Sequence, residues 1–163
     1  KILCGLLKDY DGVIRLNGID FKNIDLIKWR QMISYAPQMP YLFGTTVREN
    51  IVLENDSVPR ETVDALMRGF SILPLAEHPV SMNAGLSGGE KQKISIIRAL
   101  LRSSEVLILD EPTNHLDASS IDFLKRCLKD DTRTVIVITH SHALDESIPK
   151  HILVQKHLMK NKQ

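Results

Sequence analysis

The chain has 163 residues, 43% hydrophobic and 25% charged, with 21 basic against 20 acidic side chains and a formal net charge of +1. That is the composition of an ordinary soluble single domain, and its interspersed charges make no electrostatic case for nucleic acid or a membrane surface as a partner. No apolar run approaches a membrane span, no signal peptide is visible, and the two cysteines, Cys4 and Cys127, read as free thiols of a reducing compartment.

From the start of the chain, Ile2, Leu3, Leu6 and Leu7 form an apolar stripe at helical spacing, so the pattern predicts a helix already under way at Lys1. Asp11-Gly12 is a turn, Val13 to Leu16 alternates like a strand, and Asn17-Gly18 makes a second turn. A short helix over Leu26 to Met32 and a strand over Ile33 to Ala36 follow, stopped by Pro37. Gln38 lies in the next loop. Thr46-x-x-Glu49 is a capping box for a helix running to Leu53, and Pro59 suits the first turn of another with Val63, Leu66 and Met67 on its apolar side. Ser71 to Gly85, broken by Pro74 and Pro79, reads as linker.

The chemistry concentrates in two stretches. In Leu86-Ser87-Gly88-Gly89-Glu90 a glycine pair opens a helix. Gly88 and Gly89 let backbone N–H groups approach a ligand where a helix leaves them unpaired, and such an end attracts anions. Ser87 and Glu90 equally fit a capping box, so an ordinary helix start stays open. Along the helix, Ile94, Ile97 and Leu101 share one face, with Lys91, Ser95, Arg98 and Arg102 on the opposite stripe. Then Val106 to Leu109 reads as a strand covered on both faces in a parallel sheet, delivering Asp110 and Glu111 at the carboxyl end where open α/β sheets place ligands. Two adjacent carboxylates there can divide the work, one on a hard cation such as Mg²⁺ and one taking a proton from water.

Beyond them, Asp117 is an N-cap for a helix marked by Ile121, Leu124 and Leu128. Thr134 to Ile138 is a β-branched run, hence a buried strand ending near Thr139-His140. A short helix near Ala143, a last strand around Ile152 to Val154 and a basic, frayed tail from Lys156 to Gln163 complete the order. His140-x-His142 could be a metal pair, but no further ligand stands at useful spacing.

Taken together, Leu86 to Glu90, Val106 to Glu111, Asn114-His115-Leu116-Asp117 and Thr139-His140 resemble, in order and spacing, four motifs of the ATP-binding cassette family of ABC transporters: the signature motif, Walker B, the D-loop and the switch histidine. The resemblance implies an α/β fold: a P-loop NTPase-type parallel sheet core with an inserted α-helical subdomain, incomplete at the N-terminus. Residues 1–163 would be one partial domain, with the helical subdomain roughly 46–101, the core 1–45 and 102–155, and the tail 156–163. By the same resemblance, Glu111 would be the general base, with His140 orienting the γ-phosphate and the attacking water. Asp110 would position Mg²⁺, and Gln38, at the Q-loop position, would sense metal and nucleotide. Ser87, Gly88, Gly89 and Asp117 would face ATP held by a second cassette in a head-to-tail dimer. His78, His115, His151 and His157 are left as surface or packing residues.

The stretch from Gln38 to Ile51 resembles the exporter branch, in which this region faces transmembrane domains, and so implies work at the cytoplasmic face of a membrane. Asn114-His115-Leu116-Asp117 instead resembles the soluble, ribosome-associated branch. No G-x-x-x-x-G-K-[ST] occurs in the 163 residues, and phosphoryl transfer depends on that phosphate cradle. The chain is therefore expected to show little or no ATPase activity alone, and Val106 to Leu109 to have an unpaired side. A non-catalytic cassette acting as an interaction module, or a soluble translation-type ATPase, are the alternatives.

Overall fold

The computed structural model describes residues 1–7, 9–43, 45–53, 57–80 and 85–145. Strands β1 (Arg15–Leu16) and β2 (Ile19–Asp20) form an antiparallel hairpin. Its two-residue turn needs positive φ at both positions, and Asn17 and Gly18 supply 49° and 84°. Helix α1 (Leu26–Met32) starts where Asp25 accepts the backbone N–H of Ile27, and runs directly into β3 (Ile33–Ala36). The remaining elements are α2 (Val47–Val52), α3 (Arg60–Gly69), α4 (Gly88–Leu101), β4 (Val106–Asp110), α5 (Ala118–Lys129) and β5 (Thr134–Ile138).

The sheet is parallel, in the order β3-β4-β5, with Ala36 beside Leu109 and Asp110 beside Ile138. Strand β4 divides two apolar layers residue by residue. Leu107 and Leu109 enter a core with Ile94, Ile97, Met67 and Leu124, whereas Val106 and Ile108 pack with Trp29, Phe21 and Cys4 on the other face. The period of two in a strand buried on both sides is what places both carboxylates at one edge of a closed core.

Several expectations fail, each for a visible reason. Strand β4 is paired on both sides, so the expected gap beside it does not exist; among the described residues the open edge belongs to β5. Accordingly β5 is not a buried strand: Thr134 and Ile138 are exposed and the rest half-buried. Residues 2–6 form turns rather than a helix, because Gly5 adopts φ 66° and leaves Leu6 and Leu7 exposed. Helix α4 has no solvated stripe through Ser95, which is buried with Gln92 and Lys93, since α2, α3, β3 and β4 all pack on it. Ser71 to Val80 is more than linker: Ile72, Ala76 and Val80 join the core around a 3₁₀ turn at Leu73–Leu75. Residues 142–145 make a turn, not a helix. The strand expected at Ile152 to Val154 and the tail lie outside the described residues.

Candidate functional site

Because β4 and β5 run parallel and in register, Asp110-Glu111 and Thr139-His140 leave the sheet side by side. The Glu111 N–H donates to the Ile138 carbonyl at 2.7 Å, and Glu111 then takes a left-handed φ of 51°, a backbone conformation costing a non-glycine residue about 1 kcal/mol or more. Its carboxylate is 14% exposed and meets His140 Nδ1 at 2.7 Å and Thr139 Oγ1 at 3.2 Å. An ionised carboxylate only accepts, so Nδ1 carries the proton and Nε2 of a neutral ring is left as an acceptor. Asp110 Oδ2 accepts from the Tyr35 hydroxyl at 3.1 Å. Burial first, then this hydrogen bond, pushes the Tyr35 phenol up to about 12, so it stays a donor across the physiological range.

Asp110 Oδ1 has no hydrogen-bond partner, and no group of three His, Cys, Asp or Glu is arranged for a metal ion, among the described residues. A single carboxylate with a free oxygen fits Mg²⁺, which keeps waters and shares its ligands with phosphates, better than it fits an ion needing a protein cage. His140 and His142 do not form a pair: one turns to Glu111, the other to Asp145 at 2.9 Å.

A second constellation forms at the start of α4. The capping box is complete, with the Glu90 N–H donating to Ser87 Oγ at 3.2 Å and Glu90 Oε2 accepting the Ser87 N–H at 2.7 Å. His115, itself at φ 62°, lies over the glycines: a Cβ on Gly89 would stand 2.5 Å from its carbonyl oxygen. Asp117 caps α5 through the Ser120 N–H at 2.8 Å and binds Lys93 Nζ at 2.5 Å. Lys93 first, then Ser119 and Ser120, hold the Asp117 carboxyl well below the usual carboxylate range.

The sequence-identified residues thus fall into groups. Asp110, Glu111 and His140 converge at the sheet edge. Ser87, Gly88, Gly89 and Asp117 gather at α4, where Asp117 is committed to a cap and an ion pair. Gln38 is exposed and its side chain makes no hydrogen bond among the described residues. Two clefts of about 370 and 540 Å³ lie at the far end of α4, lined by Leu100, Leu101, Asp131 and Arg133, and include none of these groups. Sequence reasoning passed over Tyr35, Lys93 and His115. Tyr35 stands beside Ile108, one step short of Asp110's level on the adjacent strand, a relation visible only once the register is known.

A parallel sheet whose central strand ends in Asp-Glu, backed by a histidine and flanked by a glycine-opened helix, defines a nucleotide-binding cassette. The chain belongs to the ABC transporter family, whose profile matches residues 1–114. It is 31% identical over 162 residues to the colicin V secretion/processing ATP-binding protein of Escherichia coli, covering 94% of this chain and 23% of that protein. It is 36% identical over 152 residues to the multidrug resistance protein pgp-1 of Caenorhabditis elegans, covering 85% and 12%. The structure of a bacterial Atm1-family ABC exporter with ATP bound superposes with a TM-score of 0.77 at 27% identity, over 88% of this chain and 27% of that one. The cassette is exporter-like, and the chain spans under a quarter of the length of these two curated relatives.

Proposed function

We propose that these residues form the nucleotide-binding cassette of an ABC exporter, binding and hydrolysing ATP to drive transport. The observation that carries this reading is the Glu111–His140 contact at 2.7 Å beside the metal-competent Asp110. Glu111 acts as general base toward a water, with His140 and Thr139 fixing the carboxylate's orientation. Asp110 and Gln38 hold Mg²⁺, which supplies neutralisation of phosphate charge when bound. Ser87, Gly88 and Gly89 face the γ-phosphate of ATP bound to a second cassette, in a head-to-tail pair, with Asp117 keeping the adjoining loop in place.

Residues 46–101 serve as the helical subdomain, and the exposed Met39, Tyr41 and Phe43 give it an apolar platform for a transmembrane partner at the cytoplasmic face. Among the described residues no helix is long and apolar enough to cross a membrane.

The test joins this chain to the P-loop-bearing segment of a relative and measures ATP turnover. The chain alone is expected to stay at background, and the chimera to turn over ATP with a loss of 10²-fold or more on Glu111→Gln, as expected for a general base. Turnover that survives Glu111→Gln removes Glu111 from that role. A folded chimera that never hydrolyses ATP favours the interaction module.

A further inference from the structure

Tyr35 has no part in the reading above, yet its hydroxyl is the only partner of the Asp110 side chain among the described residues. Its ring packs half-buried in the apolar layer with Trp29 and Ile108, where a phenylalanine would serve as well for packing. Lying on β3 beside Ile108, the side chain reaches past that residue toward the end of the neighbouring strand and donates to Oδ2 at 3.1 Å.

The consequence concerns geometry. A terminal carboxylate turns broadly about its last torsion unless something holds it. A donor on one oxygen ends that freedom, and fixed outer partners of this kind control how well a ligating group serves a metal. The phenol is uncharged, so it orients the carboxylate without competing with a cation for its charge.

We propose that Tyr35 is a positioning residue for Asp110: by holding Oδ2 it leaves Oδ1 as the oxygen presented to the divalent cation that accompanies ATP. This rests on the reading of Asp110 as the metal carboxylate.

The probe is Mn²⁺ alone, added to the whole chain. Its affinity is read by electron paramagnetic resonance and its location by broadening of the Asp110 and Glu111 amide signals. Asp110→Asn should abolish the localised broadening. Tyr35→Phe should weaken Mn²⁺ binding by about tenfold or more with the amide spectrum otherwise unchanged, and should have no further effect on an Asp110→Asn background. If Asp110→Asn removes the binding and Tyr35→Phe leaves it untouched, the positioning role falls while the site stands. If Mn²⁺ fails to localise at Asp110 at all, the metal reading and the proposal fall together. A merely structural Tyr35 would instead lower stability equally in both backgrounds and leave Mn²⁺ affinity unmoved.

Discussion

A methyl group at Gly89 would meet a backbone oxygen, that of His115 at 2.5 Å, whereas one at Gly88 would only touch the His115 ring at 3.7 Å. The two glycines of one motif therefore differ. Gly89→Ala should destabilise by about 1–3 kcal/mol through overpacking, and Gly88→Ala should be neutral or slightly stabilising through helix propensity, both measured by urea denaturation. Asp117 supports a second expectation. Its folded-state carboxyl is depressed, chiefly by Lys93, so its contribution is present above the unfolded value near about 4 and is lost as pH falls through the lower folded value. Asparagine keeps the cap, so the stability gap between wild type and Asp117→Asn should be constant from pH 5 to 7 and shrink steadily on further acidification. Because half of that side chain is exposed, solvent screening keeps the gap small. The Ser87–Glu90 box was legible because its partners are three residues apart. The His115 approach and the Lys93 pair were not, since each joins segments more than twenty residues apart.

Among the elements, α4 does the most connecting. Near its carboxyl end Arg98 donates to the Asn50 carbonyl at 2.8 Å, to the Tyr41 carbonyl at 3.2 Å and to Asn50 Oδ1 at 3.3 Å. Its guanidinium also stands 5.8 Å from the Phe43 ring centroid. Asn50, fully buried, in turn binds the backbone N–H and C=O of Phe43 and the Thr46 carbonyl. The exposed aromatic platform is thus bolted to the helix that opens with Gly88-Gly89. Arg98→Met should cost about 2–3 kcal/mol in unmade charge-assisted hydrogen bonds and speed amide exchange through residues 43–53, with α5 unaffected. Where an element carries its own punctuation, sequence located it well: α1 and β3 fall where Met32 passes to Ile33 and Pro37 ends the strand, and both capping boxes start helices. Burial of α4 and exposure of β5 were misjudged because periodicity cannot say which neighbours will arrive. The stripe at Ile2 to Leu7 misled for another reason, since Gly5 in a left-handed conformation stops a helix that the apolar spacing alone would continue.

Taken whole, the sheet has one protected side and one open one. Strand β3 is followed by the loop that Asn50 pins, whereas β5, Thr-Val-Ile-Val-Ile, offers its outer row of N–H and C=O groups with no partner among the described residues. The strand carries no charge and no proline, the two devices that usually blunt such an edge. A net charge of +1 adds little repulsion between copies. The chain in isolation should therefore self-associate through β5, with sedimentation velocity showing a monomer fraction that falls as concentration rises. Thr134 is exposed and stands clear of the carboxylate cluster at the other end of the strand. A lysine there puts a charge beside the open edge while leaving the β4 ladder intact, so Thr134→Lys should restore the monomer and change stability by no more than about 0.5 kcal/mol. A wild-type chain that stays monomeric across the whole range would mean that the β5 edge is already covered.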